Sequence, residues 1–365
     1  MTKAIIFTIN TSGYGSPQFL YLSSVLKNKL NIDSVIYEPY EKDRKFFNID
    51  GFNRKLLISR FDRYLAIFKT IFLSYFQNLI VVVGHEEPLF AFLSSKTIVV
   101  YYYLEMHEDM NQQKSKSNFF KSSIKSKLLP LFAKKVSYII APQEDRLRIV
   151  IEKFPDKKGY TVLNCPLKKE VKNIIRQQDK INILYQGQIN SYAQADKLLK
   201  LVEKTKNTVV WHIAGPVAED FKEEVENLAT HENVNYYGLL NATELSKVRN
   251  KCNVGIVTWG DNPSLTYKYA APNKLFEYIS DGMYVLSFAN YSIGKWNKEF
   301  EFGYVSEDPD NDVDNLIFKL NELNENKNIL EKQCLHNITL HLNTLNYEYQ
   351  TSELIMQIKS DIEKQ

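Results

Sequence analysis

The chain has 365 residues, 44% of them hydrophobic, and a formal net charge of +3. This length is too great for one ordinary core and predicts two domains, and because no apolar run reaches about 18 residues we expect no spanning helix. Three widely spaced cysteines form neither a disulfide framework nor a metal pattern, and the apolar start is too short for a secretory signal. These features predict a globular protein of the cytoplasm.

The charge is divided unevenly along the chain. Residues 1–165 carry 24 Lys and Arg against 15 Asp and Glu, whereas residues 166–365 carry 22 against 28. A basic first half and an acidic second half predict different partners for the two halves.

Short runs rich in Val, Ile and Tyr alternate with stretches of helical length, as in parallel α/β sheets. The strand candidates of the first half are 3–9, 33–37, 79–84, 97–103, 137–141 and 160–163. The pattern restarts at 181–186, followed by 208–214, 233–237, 253–258 and 284–288. We therefore predict one domain over 1–168 and a second over 175–345, joined by the polar segment 166–180. The amphipathic helix over 346–365 is expected to pack back on the first domain.

The segment 271–288, APNKLFEYISDGMYVLSF, carries most of the functional information. Pro272 suits the start of a helix and Gly282 suits the position just past its end. The first amides of this helix, from Asn273 to Leu275, predict an anion site, to which Lys274 adds a full charge. Glu277 lies one turn further, where its carboxylate would repel a phosphate. Its presence there is expected only if it has a role in binding, such as accepting hydrogen bonds from a ribose.

This segment resembles the P-x-K-x-x-E-Y…G signature of retaining GT-B glycosyltransferases of the family 4 type. Other landmarks of the second half resemble the same family. They are the loop Tyr185-Gln186-Gly187-Gln188, the turn Ala214-Gly215-Pro216 and the loop Tyr237-Gly238-Leu239. The similarity covers residues 180–290 closely and the first half only by its general pattern, including Asn164-Cys165-Pro166 at the domain exit.

The resemblance implies a GT-B fold, with two Rossmann-like domains facing a central cleft. In that family the glutamate holds the donor ribose and the helix start holds the diphosphate, which implies these roles for Glu277 and for Asn273 with Lys274. It also implies donor contacts at Gly187, Gln188, Gly215, Gly238 and Leu239. Neither a cofactor nor a metal is implied, and Lys274 is expected to assist the departure of the diphosphate.

Two positions depart from the family pattern. Many members carry an Arg after the first glycine and a Lys soon after it, but here Gln188 follows Gly187 and the next Lys is Lys197. Tyr269 stands where the family's other glutamate is found, with Lys268 beside it as a replacement charge.

The first half offers further candidates near the ends of predicted strands. Gly13, Tyr14 and Gly15 predict either an acceptor-side loop or a simple tight turn. Glu105 and His107, after strand 97–103, are catalytic candidates, and His85 occupies an equivalent place after strand 79–84. A solvated acidic loop is the alternative for both sites, and a zinc site that uses both histidines lacks ligand spacing.

Residues 112–135 contain seven Lys, no acid and interleaved apolar side chains. Such a segment predicts contact with an anionic membrane surface or, alternatively, a solvated helix face. No nucleic-acid recognition motif accompanies the charge. Asp308-Pro309-Asp310 is read as a turn with a helix cap rather than as a D-x-D metal motif.

We therefore expect a metal-independent glycosyltransferase that moves a sugar, with retention, from a nucleotide sugar to a glycan or lipid-linked acceptor. Bacterial surface polysaccharide synthesis at the inner face of the plasma membrane is the expected setting. A nucleotide-sugar 2-epimerase of the same fold and a non-catalytic GT-B subunit remain open as alternatives.

Overall fold

The structure of the protein is a computed structural model that describes residues 2–10, 15–40, 51–104, 119–169, 179–259 and 264–365, with the backbone alone for 119–126. The chain divides into two compact units. The first contains Met1–Leu163 and Tyr347–Gln365, and the second contains Asn164–Asn346.

The first unit is built on a parallel sheet of seven strands in the order β3-β2-β1-β4-β5-β6-β7. The strands are β1 Lys3–Phe7, β2 Ser34–Pro39, β3 Asn53–Leu57, β4 Leu79–Val83, β5 Ile98–Tyr102, β6 Tyr138–Ala141 and β7 Lys158–Thr161. The central strands β4 and β5 are buried throughout, because helices cover both faces of a parallel sheet. The helices are α1 Gln18–Leu30, α2 Arg60–Ser74, α3 Phe119–Lys135 and α4 Glu144–Lys153, with a 3₁₀ turn at Pro88–Phe92.

The chain returns to the first unit through α13 Tyr347–Gln350 and α14 Ser352–Glu363. Tyr347 is fully buried there, with its ring 5.6 Å from that of Tyr21 and its hydroxyl 3.4 Å from the Tyr102 hydroxyl. Tyr138 donates a hydrogen bond to the Asp361 carboxylate. These contacts make the last described helices part of the packing of the first sheet.

The second unit is built on a parallel sheet of six strands in the order β10-β9-β8-β11-β12-β13. The strands are β8 Asn182–Gln186, β9 Val210–Ala214, β10 Val234–Tyr236, β11 Val254–Val257, β12 Tyr284–Ser287 and β13 Gly303–Val305. The helices are α5 Ala195–Thr205, α6 Lys222–Leu228, α7 Ala242–Arg249, α8 Leu265–Lys268, α9 Asn273–Ser280, α10 Tyr291–Phe300, α11 Asp312–Glu325 and α12 Asn328–Asn343. Trp211 lies in the core of this unit and donates to the Thr205 hydroxyl at 3.0 Å.

The boundary between the units lies after Leu163, five residues before the predicted end at 168. Asn164 already belongs to the second unit, where its side-chain amide donates to the Ala271 carbonyl at 2.6 Å. Lys169 forms an ion pair with Asp281 of the same unit. The sequence does not reveal these contacts, since Asn164 and Lys169 each make them with a residue about a hundred positions away. In the part of the chain that the structure describes, no helix is long and apolar enough to cross a bilayer.

Candidate donor site

Three glycine turns follow neighbouring strands of the second sheet and lie against one another. The Gly187 amide donates to the Ala214 carbonyl at 2.9 Å, and the Gly215 amide donates to the Gly238 carbonyl at 2.8 Å. All three glycines have positive φ, and a Cβ on Gly215 would lie 1.9 Å from the Gly187 carbonyl oxygen. Only glycine allows this approach, so the turns after β8, β9 and β10 form one surface of bare backbone at the carboxyl edge of the sheet.

The loop after β10 is held in place by a buried histidine. His212 stacks on the Tyr237 ring, and its two ring nitrogens lie 2.8 Å from the Tyr237 hydroxyl and 2.9 Å from the Asn182 side-chain oxygen. Burial, aided by the charge of Lys251, lowers the pKa of His212 to about 4. The imidazole is therefore neutral at physiological pH, and it positions the predicted base-contacting residues Gly238 and Leu239.

The signature helix α9 has the ends that the sequence predicts, displaced by one residue at its start. Pro272 is the N-cap rather than the first helical residue. Gly282 has φ +69°, and its amide donates to Ile279 while that of Met283 donates to Tyr278, so the helix closes in a Schellman motif. The Leu275 amide donates to the Pro272 carbonyl at 3.2 Å, which removes one of the three amides expected at the anion site.

Lys274, in the first turn of α9, extends across to the first glycine turn. Its Nζ lies 2.9 Å from the position that a Cβ on Gly187 would take and 4.4 Å from the centre of the Tyr185 ring. Among the described residues the ammonium makes no ion pair, although burial lowers the pKa of Lys274 to about 7 and Glu277 opposes the shift only in part. A cation that is short of water and of counter-charge is suited to bind an anion.

Glu277 is paired with Arg249 and Gln186 rather than with Lys274, which lies three residues before it in α9. Its Oε2 accepts from the Arg249 guanidinium at 2.9 Å and from the Gln186 side-chain amide. Its Oε1 accepts no hydrogen bond from any residue that the structure describes. Glu277 and Arg249 are both mostly buried, at 21% and 17% side-chain exposure. The carboxylate is thus held rigidly by one oxygen, and the other remains available.

Arg249 and Gln186 belong to the site, although no role was predicted for them from the sequence. Arg249 ends α7 and also lies 3.2 Å from Asp281, so it bridges two carboxylates of α9 and its cap. Gln186 ends β8, is 8% exposed, and its Oε1 has no hydrogen-bond partner among the described residues. The only available signal was their position, Gln186 before the first glycine and Arg249 at the end of the helix that follows the base loop.

The charges that many family members carry after the first glycine are not replaced at Gln188 or at Lys197. Gln188 is exposed, and its backbone carbonyl accepts from the Tyr185 hydroxyl at 2.7 Å. Lys197 does not lie free for a diphosphate, since it donates to the buried Asp312 at 2.8 Å and to the Pro309 carbonyl at 2.6 Å. The positive charge of the site therefore comes from Lys274 and Arg249.

Among the described residues, Lys268 makes no contact with the glycine turns. Its ammonium lies 5.6 Å from the Tyr269 ring and 5.4 Å from the Tyr291 ring. The two rings pack edge to face at 5.7 Å. Tyr269 thus occupies the glutamate position of the family as part of an aromatic cluster.

Of the candidate acceptor-side and catalytic residues in the first half, the structure describes only Gly15 and His85. Gly13, Tyr14, Glu105 and His107 lie outside the described residues, whereas Gly15 is exposed with φ +129°. His85 follows β4 as predicted, but its Nε2 contacts the Arg63 guanidinium and lies 3.5 Å from Glu87. Arg63 and Glu87 are themselves paired at 2.9 Å.

No group of three potential metal ligands occurs among the His, Cys, Asp and Glu residues that the structure describes. Asp308, expected to cap a turn, does so: its carboxylate accepts from the Asp310 amide at 3.0 Å ahead of the 3₁₀ turn Pro309–Asn311.

Comparison with known proteins agrees with this geometry. Residues 168–338 match the family of glycosyl transferases group 1. The second unit is a glycosyl transferase group 1 domain. The whole chain is similar to solved GT-B structures, which confirms the GT-B fold.

Three of these structures resemble the chain over nearly its full length. WaaG, a glycosyltransferase involved in lipopolysaccharide biosynthesis, is 11% identical, with 98% of this chain and 99% of that chain covered and a TM-score of 0.64. HepE of Anabaena, solved with UDP, is 10% identical, with 99% and 100% covered and a TM-score of 0.65. Sucrose-phosphate synthase of Thermosynechococcus elongatus is 9% identical, with 100% of each covered and a TM-score of 0.64. No curated protein matches the chain by sequence. The group 1 domain contains every residue of the site described above.

Proposed function

We propose that the protein is a retaining glycosyltransferase that uses a nucleotide-sugar donor bound by the group 1 domain. The observation that carries the proposal is the unpartnered Oε1 of Glu277, held rigidly at the carboxyl edge of the second sheet. It lies in one helix with Lys274, whose ammonium packs against the Gly187 turn. A hydrogen-bond acceptor and a cation beside bare backbone match a ribose and a diphosphate.

Each residue has a distinct role in this proposal. Glu277 accepts hydrogen bonds from the ribose hydroxyls, and Arg249 with Gln186 fixes the orientation of its carboxylate. Lys274 stabilises the diphosphate as negative charge grows on it during departure of the sugar. Gly187 and Gly215 let the backbone approach the phosphates, and the loop with Gly238 and Leu239 contacts the base.

Replacement of Glu277 by Ala tests the donor site. A carboxylate that accepts from a ribose makes charge-assisted hydrogen bonds, for which we take about 3 kcal/mol in total. This corresponds to about a hundredfold weaker binding of nucleoside diphosphate. Calorimetric titration of UDP, the nucleotide in the HepE structure, measures the change.

Two variants control this experiment. Glu277→Gln keeps an acceptor oxygen and should lose less affinity than Glu277→Ala. Glu203 on α5 is 58% exposed and pairs with Lys206 just past the helix end, so Glu203→Ala should bind UDP as wild type does. Equal affinity of wild type and Glu277→Ala would remove Glu277 from the site and the main support for the donor assignment.

The acceptor is proposed to be a lipid-linked or growing surface glycan, by analogy with WaaG, which acts in lipopolysaccharide biosynthesis. Contact with the acceptor is proposed for the first unit, through Gly13, Tyr14, Gly15, His85, Glu105 and His107. Transfer is proposed to proceed with retention and without a metal or other cofactor. Product anomers read by NMR from an EDTA-treated reaction test both points, and an inverted product or a strict need for added Mn²⁺ would contradict them.

The non-catalytic alternative is favoured by one observation: the family's charges after the first glycine are replaced by the exposed Gln188 and the engaged Lys197. Binding of UDP without turnover of any donor would support it. Incubation with the donor alone identifies an epimerase instead, since isomerised nucleotide sugar would then accumulate without an acceptor.

A further inference from the structure

Helix α2 carries its large aromatic side chains on the outer face. Phe61, Phe68 and Phe72 are 68%, 57% and 63% exposed, whereas the residues that α2 buries include the small Ala66 and the polar Thr70. Scattered exposed apolar residues are normal, but a continuous row at helical spacing is not. The large apolar side chains of α2 therefore lie mainly on its exposed face.

The exposed row continues beyond α2. Phe76, just past the helix end, is 73% exposed and packs on Phe72 with ring centroids 4.7 Å apart. The Tyr75 hydroxyl donates to the Phe92 carbonyl at 2.9 Å, which joins α2 to the 3₁₀ turn Pro88–Phe92. We define the aromatic surface as Phe61, Leu65, Phe68, Phe72, Phe76 and Phe92, all of which are more than half exposed.

The surroundings of the aromatic surface are basic. Arg60 and Lys69 are exposed on α2 itself, and Lys127 and Lys134 are exposed on α3, which packs against the same 3₁₀ turn. In α2, in the turn and in the described side chains of α3, the one acid is Asp62, and Glu87, which precedes the turn, is paired with Arg63 of α2 at 2.9 Å. The Asp62 carboxylate accepts from the Ser59 amide at 2.8 Å in a capping box. An apolar face bordered by cations is complementary to a surface with an apolar interior and anionic groups at its boundary with water.

We propose that the aromatic surface docks the protein on an anionic lipid bilayer. The rings of α2 insert at the boundary between headgroups and acyl chains, and Arg60, Lys69, Lys127 and Lys134 contact lipid phosphates. A second copy of this chain is a poorer occupant, because a twofold contact through α2 would bring these like charges together. The surface differs from the basic segment 112–135, of which it includes only Lys127 and Lys134, because its apolar side chains come from α2 and the 3₁₀ turn.

Sedimentation with phosphatidylcholine vesicles, with and without phosphatidylglycerol, tests the proposal. Wild type should bind the anionic vesicles at low salt, more weakly at high salt and much more weakly without phosphatidylglycerol. The double variant Phe68→Ser/Phe72→Ser should bind at least about tenfold more weakly, because two exposed rings no longer leave water. Lys69→Gln/Lys134→Gln should weaken binding chiefly at low salt.

The chain offers a matched control on the second unit. Phe318 on α11 is 74% exposed, so Phe318→Ser removes an equally exposed ring from another surface and should leave vesicle binding unchanged. Titration of UDP into each variant keeps this test separate from that of the donor site. The proposal is overturned if wild type ignores anionic vesicles, or if Phe68→Ser/Phe72→Ser binds them as wild type does. It is also overturned if wild type is a dimer that this variant converts to a monomer, because the surface is then an interface between copies.

Discussion

At the scale of single residues, burial disfavours the charged form of Lys274 in the free protein, and a bound anion would favour it. Burial lowers the pKa of its ammonium to about 7, so near neutral pH a substantial fraction of the free protein carries it uncharged. A diphosphate beside it would favour the charged form and raise this pKa again. The binding of an anion and the binding of a proton at Lys274 are therefore linked.

From this linkage we predict that nucleoside diphosphate binding takes up protons above pH 7. The sign follows from the lowered pKa: the free site has lost its proton by pH 8, and the complex retains it, so affinity falls as pH rises from about 7 to 9. Titration of UDP at pH 8 in Pipes and in Tris measures the uptake as a difference in apparent enthalpy. Lys274→Met has no proton to gain there, and equal uptake by this variant would assign the effect to another group.

The sequence predicted which residues form the backbone part of the site but not which side chains support it. Gly187, Gly215 and Gly238 are identifiable because a turn after a buried strand that needs positive φ selects glycine locally. Arg249 and Gln186 are not identifiable in this way, since each acquires its role from a carboxylate on a helix that begins more than twenty residues away in the chain. Pairings of this kind are decided by packing.

At the scale of elements, Gly282, just past the end of helix α9, is needed both for its backbone conformation and for its close packing against α12. A Cβ on Gly282 would strain a residue at φ +69° and would lie 2.8 Å from Cys334 Sγ and 2.9 Å from Ile338 Cδ1 on α12. We predict that Gly282→Ala lowers the free energy of unfolding by about 1–3 kcal/mol, measured by urea denaturation.

Gly294 supplies the control for that substitution. It lies inside α10, and a Cβ there meets nothing within 4 Å. Gly294→Ala should therefore be neutral or raise stability by up to about 1 kcal/mol, because alanine loses less backbone entropy in a helix. A similar loss of stability in both variants would show that neither the strain nor the contact with α12 matters.

The strands missed by the sequence analysis are both at sheet edges. The interior strands were found because parallel strands covered on two faces are continuous apolar runs. β3, with the sequence NRKLL, is half exposed, and β13 has three residues. Each pairs with one neighbour, β2 or β12, and neither contains an apolar run of strand length, whereas the edge strands β7 and β10 were predicted.

At the scale of the whole molecule, the first unit is assembled from two separated parts of the chain and the second from one. We predict that the fragment 164–346 unfolds cooperatively on its own, since it contains its complete sheet. The fragment 1–163 lacks Tyr347, Leu354 and Ile358, which are buried in the first unit, so it should unfold at a much lower temperature or aggregate. Circular dichroism melts of the two fragments and of the full chain measure the difference, and a fragment 1–163 as stable as the full chain would contradict it.

The return of the chain to the first unit sets an order of events on the ribosome. Residue 163 leaves the ribosome about 180 residues before Tyr347, an interval of roughly ten to forty seconds at about 5–20 residues per second. During that time the second unit is being synthesised, and the rings of Tyr21 and Tyr102 are not yet covered by Tyr347. The part made first is therefore completed last. In a living cell, the interval in which a nascent first unit needs protection from aggregation is the time taken to translate its neighbour.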